Sequence, residues 1–286
     1  MKKIGITTTV PIEILLAAGY QPVDLNNVFI TDSNPDKLIN IAERTGFPLN
    51  CCSWIKGIYG VCVSHGIDTV LCVTTGDCSN TIMLMEVLEL KKFKVIPFAF
   101  PDKPDTVKVQ YALEMLAESL GTTLTDADKV RDELKPTRRL TGKLDELTWR
   151  DNHVSSYENH LWLLSTSDFN RDLYKYQHQL KQLIEECEQR RSYPDNWLRL
   201  GYIGVPPVFA SDFYNYLEAN EAHIVFNEIQ RQFAMPAPGK SLAEQYKNYT
   251  YPYSIYGRVK DIKKETKRRQ IDGIIQIGRA SCRERV

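Results

Sequence analysis

The sequence predicts an α/β protein with two parallel-sheet domains joined by a long helical segment, the second domain incomplete. Three patterns carry that expectation. Short apolar strands alternate with helices as far as Pro101. Long amphipathic helices rich in Leu, Glu and Lys then run from about Asp105 to Arg191 with no strand among them. The strand pattern returns at Leu198. Alternation of strand and helix implies parallel strands linked by right-handed crossovers. The divisions read from these patterns are 1–105 for a first α/β domain, 106–197 for the helical segment and 198–276 for a truncated second α/β domain.

Each element has a local reason. KKIGIT (Lys2–Thr7) is a short apolar strand, and PIEILLAAG follows as a helix, with Pro11 suited to its first turn and Gly19 to its end. PVDLNNVFI (Pro22–Ile30) reads as the next extended run. Asn34-Pro35 opens a helix that Gly46 stops. Cys52–Gly66 has helical length and spacing, and Asp68–Thr75 is a buried strand rich in β-branched residues. The turn GDCSN leads to a helix, TIMLMEVLELKK, and Lys94–Pro101 is a further strand. In the last third, Leu198–Val208 reads as a strand, SDFYNYLEANE as a helix and AHIVFNE as a strand. A basic run, Asp261–Gln270, leads into IDGIIQ, the start of another strand.

Charge and hydropathy exclude several classes. The 286 residues are 43 % hydrophobic, enough for a large core. Lys plus Arg number 36, as do Asp plus Glu, so no basic field points to nucleic acid. Pro11 and Glu13 interrupt the apolar start, which therefore reads as strand, turn and helix rather than as a leader peptide. No apolar run reaches the roughly 18 residues of a membrane span. A cytoplasmic location is expected.

The closing string IGRASCRERV (Ile277–Val286) matches the translation of a common sequencing adapter, whose next codon is a stop. These ten residues, Cys282 among them, are expected to be non-native, with Gln276 at the junction. Without them the chain is slightly acidic.

Five of the seven cysteines lie between Cys51 and Cys78. In a reducing compartment such crowding points to metal binding or burial rather than to disulfides. Ligands of open α/β sheets sit beyond the carboxyl ends of the strands. Cys78 follows the strand Asp68–Thr75, and Cys52 begins a helix, so both point to the same rim. A helix N-terminus favours the thiolate, the usual ligand of iron–sulfur clusters. Cys72 in mid-strand, Cys62 within its helix and Cys187 in LKQLIEECEQRR read as packed thiols. Spacing does not choose between Cys51 and Cys52, and zinc competes as the metal, although no CxxC or His/Cys zinc spacing is present. The five histidines show no ligand spacing.

Several motifs together resemble the 2-hydroxyacyl-CoA dehydratase D-component family, which includes benzoyl-CoA reductase subunits and double-cubane reductases. KIGITTTVPIEILLAAGYQPVDL is similar to the family's opening. CSWIKGIYG resembles its first cluster motif, TTGDCSNTIMLMEVL its second, and YIGVPPVFASDFYNYLEANEAHIVFNE the start of its second half. The resemblance runs to Ile275. It implies two Rossmann-like (flavodoxin-like) domains and a [4Fe–4S] cluster held by three cysteines, of which Cys52 and Cys78 match the first two. It favours Cys52 over Cys51 because Ser-Trp-Ile-Lys follows Cys52 directly. The third follows a strand like IDGIIQ, where the adapter-like tail begins, so it is expected to be missing here.

The resemblance further implies a radical dehydration. An electron enters the acyl-CoA thioester to give a ketyl radical, from which the 3-hydrogen and the 2-hydroxyl are lost. The implied partners are a paralogous dehydratase subunit and an ATP-dependent activator ATPase with its own cluster. A noncatalytic iron–sulfur role and a plain ligand-binding α/β protein are the competing functions. Thr7, Thr8 and Thr9 are expected either to line the cluster pocket or to cap the next helix. Thr75 and Asp77 are placed to hydrogen-bond around Cys78. Asn227, Glu228 and Arg231 follow the strand HIVF at a sheet rim, as ligand contacts or as a surface turn and solvated helix. Lys56 is read as a helix-surface lysine, with contact to an anionic ligand as the alternative.

Overall fold

A computed structural model of the chain describes residues 1–207 and 210–277. The Val208 end of the expected strand and residues 278–286, with Cys282, lie outside the described residues. The protein is mixed α/β with two parallel sheets. It packs as two compact units, residues 1–133 with 238–248, and residues 134–237 with 249 onward. The sequence divides the chain at 105 and 197 by type of element, whereas these units are divided by packing.

The first unit holds β1 (Lys2–Ile6), β2 (Tyr20–Asp24), β3 (Thr69–Thr75) and β4 (Lys94–Ala99) in the order β2-β1-β3-β4. α1 (Ile12–Ala17) connects β1 to β2. The extended run expected over Pro22–Ile30 is corrected here. It is strand only to Asp24, and Leu25–Thr31 is a helix, α2. The cause is local: the Asp24 carboxylate accepts the Asn26 amide at 2.9 Å and caps a new helix. α3 (Pro35–Thr45) has the expected ends, with Asn34 capping Lys37 N and Gly46 left-handed at φ +112°.

α4 (Ser53–Ser64) and α5 (Asn80–Leu90) complete the layer. α4 is mostly apolar and buried over Ile55–Cys62, and it packs in the cluster formed by Phe29, Leu38, Ile55, Ile58, Tyr59, Cys62 and Cys72. Its glycines make the close approach possible. A Cβ on Gly57 would lie 2.3 Å from the Phe29 ring, and one on Gly60 would lie 2.2 Å from the Leu38 carbonyl oxygen. The obstacle at Gly60 is α3 backbone, which cannot swing aside. Gly60→Ala is therefore expected to cost about 2–3 kcal/mol in chemical denaturation, despite alanine's better helix propensity. A neutral Gly60→Ala would contradict this packing.

The remaining helices of this unit are α6 (Thr106–Ser119), the first part of α7 (Leu124–Trp149) and α12 (Leu242–Asn248). α12 carries Gln245 and Tyr246 to the start of α1. Gln245 Nε2 and Tyr246 OH each lie 2.7 Å from the buried Glu13 carboxylate.

The second unit has β5 (Leu198–Ile203), β6 (Ala222–Asn227) and β7 (Gly273–Gln276) in the order β6-β5-β7. Around them lie α8 (Ser156–Leu164), α9 (Leu173–Gln189), α10 (Ala210–Ala219), α11 (Glu228–Phe233) and α13 (Ile255–Arg268). A polar network threads this core. Arg269 is fully buried and grips both Asp145 oxygens, at 2.9 and 2.5 Å, and Glu265 at 2.8 Å. Glu265 also meets Arg231 at 3.4 Å and Arg268 at 2.6 Å. Asn159 joins Asp145 to Asn227, and Tyr214 joins Asn227 to His160. Among the described residues no helix is long and apolar enough to cross a membrane.

Candidate functional site

The carboxyl edge of the first sheet is built from three segments. Thr7–Thr9 leave β1, Thr75–Cys78 leave β3, and Cys52 opens α4. β1 and β3 are parallel neighbours, with Gly5 opposite Val70 and Ile6 opposite Leu71. Their exits therefore share one edge. α4 ends just before β3 begins, so it runs back against the strand. Its 12 residues span about 18 Å and the seven of β3 about 23 Å. That length returns Cys52 to the carboxyl edge.

Hydrogen bonds fix the arrangement. Trp54 in the first turn of α4 donates Nε1–H to Asn26 Oδ1 at 2.6 Å. Asn26 Nδ2 donates to the Thr7 carbonyl at 2.9 Å. The Thr7 hydroxyl accepts the Val73 amide of β3 at 3.1 Å. The chain Trp54–Asn26–Thr7–Val73 thus ties α4's start to the exits of β1 and β3. Trp54 and Asn26 were not among the site residues read from sequence. The available signals were a tryptophan two residues past Cys52 and an amide side chain two residues past the capping Asp24.

The threonines do not cap α1, whose first residue has no side-chain cap. Thr7 bonds to β3 instead, Thr8 is buried, and the Thr9 hydroxyl is buried with no hydrogen-bond partner among the described residues. Thr75 is exposed at the end of β3, and its carbonyl accepts the Phe100 amide at 3.1 Å. Asp77 is half-buried beside exposed Cys78, whose carbonyl accepts the Thr81 amide at 3.0 Å.

The cysteines fall into two groups. Cys62, Cys72 and Cys187 are buried, whereas Cys51 and Cys52 are half-buried and Cys78 is exposed. Burial pushes the Cys62 thiol far above its ordinary range, Cys72 up to about 12 and Cys187 up to about 11. These three stay protonated near neutral pH and are poor metal ligands. Cys52 forms the N-cap of α4, but its side chain makes no capping hydrogen bond. Among the described residues no three His, Cys, Asp or Glu side chains converge as a metal-binding group.

Asn227, Glu228 and Arg231 lie in the second unit. They are buried, not on a surface turn or a solvated helix. Asn227 bonds Tyr214 OH at 2.6 Å and Asn159 at 2.8 Å. Glu228 takes a bidentate Arg258 at 2.7 and 2.8 Å, and Arg231 pairs with Asp261 at 2.8 Å. The surface expectation failed because their partners, Tyr214 and Gly204 apart, lie 30 or more residues away in sequence.

The model of the 2-hydroxyglutaryl-CoA dehydratase D-component family matches residues 7–285. The chain belongs to that family. The D-component match takes in the edge built by Thr7–Thr9, Cys52 and Cys78, the whole second sheet and all of the first sheet except β1. A search of curated proteins gives no match.

Proposed function

We propose that this chain is the cluster-holding subunit of a 2-hydroxyacyl-CoA dehydratase-like enzyme, with Cys52 and Cys78 as two thiolate ligands of a [4Fe–4S] cluster. Family membership supports the reaction class. The observation that supports the assignment is that the N-cap position of α4, held by Cys52, and the turn after β3, which carries Cys78, lie toward one carboxyl edge. The order β2-β1-β3-β4 supports the flavodoxin-like reading, since its direction switches beside β1 and β3, where such folds bind ligands.

The donor set fits the cluster in part. The thiols of Cys52 and Cys78 and one unpartnered buried hydroxyl suit it, but among the described residues no third ligand side chain converges with them. When bound, such a cluster supplies one-electron transfer and an iron open to an oxygen ligand. Cys52 and Cys78 would anchor it. Thr9 would donate its spare hydroxyl proton to a sulfide or a ligand oxygen, and Thr75 and Asp77 would frame Cys78. Asn227, Glu228 and Arg231 would act through the sheet they brace. A paralogous subunit and an ATP-dependent activator would complete the enzyme and deliver the electron, with an acyl-CoA as substrate.

Anaerobic reconstitution with iron and sulfide tests this. Two thiolates hold metal less firmly than three. The chain is expected to retain iron and sulfide below one full cluster and to lose them to a mild chelator. A complete, chelator-resistant cluster would contradict the two-ligand account, and no bound iron would contradict the cluster itself. Turnover of acyl-CoA with the paralogous subunit and activator separates an enzyme from an accessory protein.

A further inference from the structure

Lys56 is the basic residue of the run that follows Cys52, and its surroundings correct both readings made from sequence. It is not on the helix surface: the residue is only 2 % exposed. Nor does its ammonium face solvent for an anion to reach. Nζ sits 2.6 Å from Glu43 Oε1 on α3 and donates to the Leu49 carbonyl at 3.1 Å. Its own backbone amide donates to the Cys52 carbonyl at 3.1 Å. The side chain therefore holds the middle of the 47–51 loop, while the backbone makes the first-turn helix bond to Cys52, just beyond the loop's end. The loop itself reaches outward, with Leu49 81 % exposed.

A buried ammonium is costly, and a well-packed apolar side chain would often serve stability equally well. The lysine adds a bond to a loop carbonyl that an apolar residue cannot make. We propose that Lys56 is a positioning residue that clamps the 47–51 loop, and with it the Cys52 thiol, before any metal arrives. The proposal rests on the reading of Cys52 as a ligand, but its test requires no cluster.

The experiment measures iodoacetamide alkylation of Cys52 and Cys78 in the metal-free full chain by mass spectrometry. Wild type, Lys56→Met, Lys56→Arg and Glu43→Gln are compared, with circular dichroism confirming that each is folded. Glu43 keeps a quarter of its side chain in water, so its carboxylate stays hydrated when the lysine is removed. Loss of the clamp is expected to raise the Cys52 rate about tenfold in Lys56→Met while Cys78 changes less than about twofold. Lys56→Arg, which can still bridge Glu43 and Leu49, restores the wild-type rate. Glu43→Gln leaves the Leu49 bond in place and gives a smaller rise at Cys52 alone, which keeps the test available should Lys56→Met not fold. An unchanged Cys52 rate in a folded variant, or parallel rises at Cys52 and Cys78, would overturn the proposal. If the clamp behaves as described yet iron reconstitution fails, the cluster reading falls and the clamp stands.

Discussion

Arg269→Met is expected to destabilise the second unit by about 3–5 kcal/mol, the usual effect of removing one partner from a buried ion pair. The arginine is fully buried and binds Asp145 through two nitrogens and Glu265 through a third. Its guanidinium also lies 5.1 Å from the Phe226 ring and donates to the Val225 carbonyl at 2.7 Å. Methionine fills part of the volume but leaves Asp145 without its cation. Burial pushes the Asp145 carboxyl up, yet Arg269, with help from Arg231 and Asn159, holds it below its ordinary range. The same balance, with Arg231 foremost, holds Glu265 low. Changing Asp145 to Asn as well should recover part of the loss, because the stranded charge is then gone. Denaturant titration checks this against exposed Lys267→Met, expected within about 0.5 kcal/mol of wild type. A loss below about 1 kcal/mol in Arg269→Met would show that the network is not held by this residue.

The second large effect is acid lability. His160 and His223 are buried, and burial lowers each from 6.5 to about 4. Gln230 and Tyr214 face His160, and the Val154 carbonyl and Glu218 face His223. None supplies enough negative charge to keep the rings protonated. Below pH 6.5 the unfolded chain takes up protons that the folded unit refuses. The stabilisation from neutral burial is thus complete above about pH 6.5 and is lost as pH falls toward 4, by up to about 3 kcal/mol for each histidine. Asp145 and Glu265 act in the same direction at lower pH. Their depressed values give stability that is present above the ordinary carboxylate range and lost as pH falls through it. Denaturation midpoints should therefore fall steeply from pH 6.5 to 4. His160→Gln with His223→Gln should flatten that slope, and an unchanged slope would contradict the assignment.

Much of the first unit was legible because its determinants are local. Asn34-Pro35 and Gly46 bound α3, and the β-branched run gives β3. Cys52 and Cys78 could be placed at one edge because strand direction follows from strand–helix alternation. What was missed depends on distant partners. The capping role of Asp24 ended β2 early, a competition that an apolar run does not reveal. Lys56 is polar in sequence yet buried, because Glu43 and Leu49 come back to meet it. Glu13 meets Gln245 across 232 positions, and Asp145 meets Arg269 across 124, separations that no periodicity encodes.

The most direct measurement is iron bound per chain after anaerobic reconstitution of wild type, Cys52→Ala, Cys78→Ala, Cys51→Ala and Cys62→Ala. The account predicts that Cys52→Ala and Cys78→Ala each lose most of the wild-type iron, on the order of tenfold or more, while Cys51→Ala and Cys62→Ala keep it. Iron retained by both Cys52→Ala and Cys78→Ala, or lost equally from all four variants, would contradict it.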